Sequence, residues 1–296
     1  MIVGVDVGYS HTKVYSSRGA DIFLSTFEEG TNDVNKKAIK IEFEGKEYTI
    51  ASPTGAFSTD LNKINDLNFR LCLYTAIARQ MKSDTVAEIQ LVTGLPAEYY
   101  KSQKQELINS LEGLKVNIIL NGQPKRFTIT NCLVFPQSAG LFILNPGKFE
   151  GDNIVIDIGG LTVDVSLFDD MTLTRTGTYE LGMLKLYDKI IQTVKAEYEV
   201  SYDVLKAEQI IKTKQIIDNG EVIDVTDLVN RVLRNHTDSI IMNVKNGFKE
   251  YDTSRRNFIG GGSYMLRDYL PGIINSEDIY TNAKAFYMVG VDRFEN

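Results

Sequence analysis

The chain carries Asp6-Val7-Gly8-Tyr9-Ser10-His11-Thr12-Lys13 and, about half its length later, Asp157-Ile158-Gly159-Gly160-Leu161-Thr162-Val163-Asp164. Each stretch follows an apolar run, Ile2-Val3-Gly4-Val5 in the first case and Ile154-Val155-Ile156 in the second. Such short β-branched runs read as buried strands that deliver an Asp to a turn. At the turn a Gly lets backbone N–H groups approach an anion closely, and a hydroxyl residue follows before the next strand. One Asp-x-Gly turn says little, because Asp and Gly are ordinary hairpin residues. Two of the same design read as the halves of a phosphate clamp.

A third stretch, Phe258-Ile259-Gly260-Gly261-Gly262-Ser263-Tyr264, runs from an apolar segment through three glycines into a helical pattern. Taken alone it is a flexible turn. The order Asp-x-Gly, Asp-x-Gly-Gly-x-Thr, Gly-Gly-Gly resembles the nucleotide site of the superfamily that contains actin, the sugar kinases and the heat-shock chaperone ATPases. That resemblance implies an α/β, actin-like fold: two duplicated RNase H-like domains around a nucleotide cleft, with a small helical subdomain in the second. It also implies that Gly260, Gly261, Gly262, Ser263 and Tyr264 face the adenosine.

At 296 residues, 43% apolar and 24% charged, the chain is long enough for two globular domains. No apolar run approaches the roughly 20 residues that span a bilayer, and the opening run carries a motif instead of a basic signal segment, so a cytoplasmic protein without membrane attachment is expected. The net charge of −7 and the absence of a basic block beyond Arg255-Arg256 argue against direct nucleic-acid binding. Cys72 and Cys132 lie far apart in apolar contexts and read as core residues, not as a zinc pair. The two histidines, His11 and His236, show no positioned partner for general-base work.

Along the chain, residues 1–26 read as a three-stranded meander and Ile39 to Ile50 as a hairpin. Apolar residues at helical spacing predict a helix from Asn68 to Lys82 with one face on the sheet. A strand at Ile89 to Thr93, stopped by Gly94-Leu95-Pro96, leads to a helix from Glu98 to Leu111. Strands at Lys115 to Leu120 and Arg126 to Val134 flank a turn at residues 121–124, and Pro136 opens a short helix. The breaker residues Asn145-Pro146-Gly147 suggest domain I over 1–147, with a small insertion at about 28–66, and domain II over 148–296. Domain II repeats the meander at 153–175, then reads as three helices forming a helical subdomain at about 180–255. A strand at Asn257 to Ile259, a helix from Ser263 to Leu270 and a last helix at 282–293 follow. In the superfamily that last helix returns to domain I.

Binding ATP or GTP would bring Mg²⁺, held largely through water by one or two carboxylates. Asp6 and Asp157 are the natural pair. The turns Gly8-Tyr9-Ser10-His11-Thr12 and Gly159-Gly160-Leu161-Thr162 would donate N–H and hydroxyl hydrogens to the phosphates, with Lys13 adding a point charge. Phe135-Pro136-Gln137-Ser138-Ala139-Gly140 is similar to the family's first connecting segment, which implies that Gln137 faces the γ-phosphate. An amide can orient a water but cannot take its proton, so slow hydrolysis is expected, with Asp157 polarising the water or holding the metal. Ala207-Glu208-Gln209-Ile210-Ile211-Lys212 resembles a helix of bacterial actins in which Glu208 would meet the ribose and Lys212 the base. The same i, i+4 spacing also serves an ordinary solvent-side ion pair. Residues 280–290 are similar to the second connecting segment, with Ala283 and Gly290 allowing close helix packing and a hinge role.

Within the superfamily the opening motif and Phe-Pro-Gln-Ser-Ala-Gly look most like plasmid-segregating bacterial actins of the ParM type. The resemblance implies self-assembly into filaments, ATP hydrolysis after polymerisation and a DNA-binding adaptor of the ParR type. A sugar or acetate kinase using the same clamp, or a chaperone-like ATPase, is the alternative.

Overall fold

The computed structural model describes residues 1–30, 38–52, 54–58, 63–145, 147, 149–170, 172–274 and 279–295. Pro146 of the expected domain break and residues 31–37, 53 and 59–62 of the expected insertion lie outside the described residues. Two units are formed, one from Met1–Glu150 with Asp278–Asn296, the other from Gly151–Glu277.

The first unit opens with strands β1 (Ile2–Val7), β2 (His11–Ser16), β3 (Gly19–Leu24) and β4 (Thr26–Glu29), then β5 (Ile39–Phe43), β6 (Lys46–Ile50) and β7 (Ala56–Phe57). Helix α1 (Leu67–Gln80), strand β8 (Val86–Leu95), helix α2 (Ala97–Leu111), the hairpin β9 (Lys115–Leu120) and β10 (Gln123–Pro136), a 3₁₀ turn at Gln137–Ala139 and α3 (Gly140–Leu144) complete this part. The strands join in the order β3-β2-β1-β8-β10-β9-β5-β6-β4-β7. Every residue of β1 is buried, as suits a central strand covered on both faces, whereas β2 alternates half-buried and buried positions.

Three expectations need correction here. Helix α1 starts where Asp66 accepts from Asn68 N at 2.9 Å, and it buries Leu71, Tyr74, Thr75 and Ala78 as well as the Phe69-Cys72-Leu73-Ala76 side, so it is covered nearly all round. Gly94 and Leu95 continue β8. Gly94 is there for space, since a Cβ on it would lie 2.6 Å from the Phe286 ring and 2.9 Å from Gln137 Cγ. Pro124 lies within β10, because the hairpin turns on Asn121 (φ 49°) and Gly122 (φ 77°) alone.

The second unit repeats the meander as β11 (Asn153–Ile158), β12 (Val163–Asp169) and β13 (Thr172–Tyr179). Helices α4 (Met183–Tyr198), α5 (Ala207–Thr213) and α6 (Thr226–Gly247) follow, with the hairpin β14 (Gln215–Asp218) and β15 (Glu221–Asp224) between the last two. The expected all-helical subdomain therefore contains a two-stranded sheet, turned on Asn219 and Gly220 at positive φ. Strand β16 (Arg255–Ile259), helix α7 (Gly260–Met265) and β17 (Ile273–Ile274) close this unit, whose main sheet has the order β13-β12-β11-β16-β17. The triple glycine is thus the first turn of α7, which starts three residues before the expected helix and ends before Leu270.

The last helix, α8 (Thr281–Phe294), belongs to the first unit and packs on β1, β2, β8 and α3. Its backbone lies so close to β1 that a Cβ on Gly4 would stand 2.2 Å from the Ala283 carbonyl oxygen and 2.5 Å from Tyr287 N. Gly290 does the same service for Ile2 and Val92. Among the described residues no helix is long and apolar enough to cross a membrane.

Candidate nucleotide half-sites

In the first unit the cross-strand register sets Asp6 opposite Lys13. Asp6 is 4% exposed. Its Oδ1 accepts from Gln137 Nε2 at 2.7 Å, while Oδ2 faces Lys13 Nζ at 3.9 Å and Asn282 Nδ2 at 3.5 Å. One carboxylate thus meets groups from β2, from the 3₁₀ turn before α3 and from α8. The turn after β1 closes when Gly8 N donates to the His11 carbonyl at 3.1 Å.

The second unit builds the same turn. Gly159 N donates to the Thr162 carbonyl at 2.9 Å, and Asp157, 9% exposed, occupies the position of Asp6. Amides at the start of α4 fix this turn from behind, Met183 N donating to the Gly159 carbonyl at 3.0 Å and Leu184 N to that of Gly160 at 2.8 Å. Gly182 makes the approach feasible, since a Cβ there would collide with the Gly160 carbonyl at 2.3 Å. Where the first unit sets Lys13 opposite its Asp, the second sets Asp164 opposite Asp157.

Gly260 (φ 85°) borders Asp157 so tightly that a Cβ would fall 2.2 Å from Asp157 Oδ1. Gly262 packs on Ile158 and Met183, while a Cβ on Gly261 would meet nothing within 4 Å. Of the three glycines, only Gly261 therefore leaves an open approach. Ser263, fully buried, donates to the Gly260 carbonyl at 2.8 Å, whereas Tyr264 is exposed, with the Arg267 guanidinium 4.9 Å from its ring centre.

Several side chains expected at a phosphate are committed elsewhere. Thr12 falls on the inward face of alternating β2, and its hydroxyl is buried against Ser25 Oγ at 2.8 Å. The Thr162 hydroxyl donates to Asp164 Oδ2 at 3.0 Å, and Thr178 donates to the other oxygen of that carboxylate at 2.5 Å. Tyr9 is buried with Lys63 Nζ 5.2 Å from its ring centre. Ser10 Oγ and His11 Nδ1 stand 3.2 Å apart. Leu161 contributes its carbonyl to the Gly182 amide at 3.0 Å. Glu208 and Lys212 pair with each other on the exposed side of α5, the solvent-side arrangement their spacing also permits. Near Glu208, burial pushes the Tyr187 phenol above its ordinary value, with the Glu208 charge adding to the effect.

Sequence reasoning missed Asn282 and Asp164. Asn282 lies 276 residues from Asp6, beyond any local pattern. Asp164 stands within the quoted second stretch, and strand register alone would have paired it with Asp157. Among the described residues no group of three or more His, Cys, Asp or Glu is placed to hold a metal. Asp6 and Asp157, buried carboxylates each next to a glycine-bearing turn, fit Mg²⁺, which keeps most of its waters and takes few protein oxygens beyond those of a bound phosphate.

Residues 4–140 match the family model of the actin-like protein N-terminal domain, and residues 155–272 match that of the archaeal actin homologue MreB-like C-terminal domain. The actin-like protein MamK of Magnetospirillum gryphiswaldense is 24% identical over 200 residues, 60% of this chain. The match spans about half of that relative, 50% of its length. The crystal structure of Ta0583, an archaeal actin homologue, superposes with a TM-score of 0.84 at 21% identity, covering 98% of this chain and 99% of the other. Its complex with ADP gives 0.83 at 18% identity over the same shares. The 15-stranded ParM filament from Clostridium botulinum gives 0.81 at 22% identity, again covering 98% and 99%.

Proposed function

We propose that this chain, which belongs to the actin-like superfamily and has the actin-like fold, is an ATP-binding protein that assembles into filaments and hydrolyses its nucleotide slowly after assembly. The observation that carries the reading is the duplicated turn. Gly8 to His11 and Gly159 to Thr162 close with the same amide-to-carbonyl bond, each immediately after a strand that presents a buried Asp. Each turn supplies backbone N–H donors for phosphate oxygens of ATP, and Lys13 supplies a charge beside the first. Asp6 in the first unit and Asp157 in the second are each suited to hold Mg²⁺ mainly through its waters, and such an ion would neutralise phosphate charge. Gln137 orients the attacking water and takes no proton, which suits slow turnover. The ADP-bound archaeal homologue supports the nucleotide, and the ParM filament supports assembly. Movement of plasmid DNA through a DNA-binding adaptor is the cellular role that fits this reading and the ParM-like opening motif.

The test is calorimetry with ATP and Mg²⁺, followed by light scattering and pelleting. Uptake of ATP and concentration-dependent assembly above a threshold are expected. Turnover accelerated by added sugars without any polymer would replace the filament reading with that of a kinase.

A further inference from the structure

Lys63 lies in the turn ahead of α1 and is 2% exposed. Its Nζ donates to the Val7 carbonyl at 2.6 Å. The same ammonium stands 5.2 Å from the ring centre of Tyr9 and 5.7 Å from that of Phe69, in the first turn of α1. Val7 ends β1 and Tyr9 follows Gly8, so a single side chain grips the first turn on both sides of its glycine. A peptide group is planar and trans, so its carbonyl and its N–H point in opposite directions. In the Val7–Gly8 peptide the carbonyl is held by Lys63 and the N–H by the His11 carbonyl at 3.1 Å, which pins the plane at both ends.

The turn has an inner and an outer side. Tyr9 and Lys63 are buried, whereas Gly8, Ser10 and His11 are half-buried. The second unit backs the matching carbonyl differently. There a Cβ on Gly260 would lie 2.6 Å from the Ile158 carbonyl oxygen and one on Gly262 2.9 Å from it, so the start of α7 presses directly on that peptide. Burying an ammonium is costly, and a thioether or alkyl chain of similar length would pack on both rings without that cost. Packing therefore does not account for the charge.

We infer that Lys63 is a positioning residue for phosphate binding, which presets the Gly8 to His11 turn from the interior of the first unit and places a buried positive charge behind it. This rests on the reading of that turn as a phosphate site. A charge-assisted bond to a peptide carbonyl polarises the whole group, so its N–H donates the more strongly to His11. A turn held in this way before nucleotide arrives has less freedom to lose when it takes up an anion. Asp66, which caps α1, lies just beyond Lys63 in the chain, so the preset turn is also tied to the start of that helix.

The experiment measures ATP affinity of the full chain by calorimetry in Mg²⁺, for the parent protein and for Lys63→Met and Phe69→Leu. Melting temperatures and hydrogen exchange at the Gly8 amide are recorded for the nucleotide-free proteins. In Lys63→Met, which keeps the packing and loses the charged donor, ATP binding weakens about tenfold and the Gly8 amide exchanges faster. Phe69→Leu loosens the packing but leaves the ammonium, so it lowers the melting temperature and keeps the ATP affinity. Unchanged affinity in a folded Lys63→Met would make Lys63 a structural residue and overturn the inference. An equal loss of affinity in Phe69→Leu would tie the effect to stability and overturn it too. If Lys63→Met does not fold, the parent decides: a protected Gly8 amide without nucleotide is expected, and free exchange there shows that the turn is not preset. A parent that takes up no ATP removes the phosphate reading itself, whereas exchange at Gly8 still reports separately on the grip of Lys63.

Discussion

Gln137 Nε2 donates to Asp6 Oδ1 at 2.7 Å, joining residues 131 positions apart in the chain. The amide expected to face a γ-phosphate is therefore tied through its nitrogen to the carboxylate carried by β1. Its carbonyl end is the part suited to orienting a water.

Replacing Gln137 with Ala should slow phosphate release about 10–100-fold, the range of a lost positioning contact, while filaments still form and last longer. Parallel phosphate-release and sedimentation assays check this. Filaments that disassemble sooner than those of the parent would remove Gln137 from the hydrolytic step.

Gly260 and Gly261 are adjacent but should respond in opposite ways. Gly260→Ala forces a Cβ to 2.2 Å from Asp157 Oδ1 at a φ of 85°, so folding of the second unit should suffer by several kcal/mol. Gly261→Ala meets nothing within 4 Å and should leave thermal stability unchanged or raise it by up to about 1 kcal/mol, as Gly→Ala in a helix does. If the adenosine lies on this turn, Gly261→Ala also weakens ATP binding, which calorimetry would register.

His236 Nε2 lies 3.0 Å from the Leu181 carbonyl, and burial holds its basicity below the ordinary value of 6.5, with Lys185 adding to the effect. The folded state then binds this proton less readily than the unfolded chain does. Stability associated with neutral His236 is complete above about pH 6.5 and is lost as the pH falls from there through the lower folded value. His236→Gln should flatten the dependence of melting temperature on pH between about 8 and 5. An identical slope in the variant would assign the acid sensitivity elsewhere.

Both thiols should be silent. Burial pushes Cys72 and Cys132 up to about 12, so neither carries appreciable thiolate at neutral pH. A thiol reagent should find no reactive cysteine in the native protein and both after denaturation. Rapid labelling of the native protein would show that the core of the first unit, which holds both, opens.

The alternation of β2 and the buried runs at β1 and β11 made the twin meanders legible, and the three glycine-bearing stretches marked where they open. Side-chain direction was harder to extract. Thr12 and Thr162 look alike as hydroxyls in a motif, yet register makes Thr162 the counterpart of His11, because each ends the turn on a carbonyl bonded to the preceding Gly amide. The β14–β15 hairpin had its signal in Asn219-Gly220 between the β-branched pairs Ile216-Ile217 and Val222-Ile223, a turn that a helical reading of the surroundings passes over. Asn282 lay inside the segment read as a hinge, but no local pattern tied it to Asp6, since only the packing of α8 on β1 brings the two together.

That packing has a consequence for how the protein is made. Strand β1 is translated before the second unit, yet the helix that seals it across Gly4 follows all of that unit in the chain. The two units therefore cannot mature strictly in order of synthesis. The later-translated body is contiguous and can close upon itself while the earlier one still waits, with the floor beneath Asp6 uncovered, for the fourteen-residue helix α8.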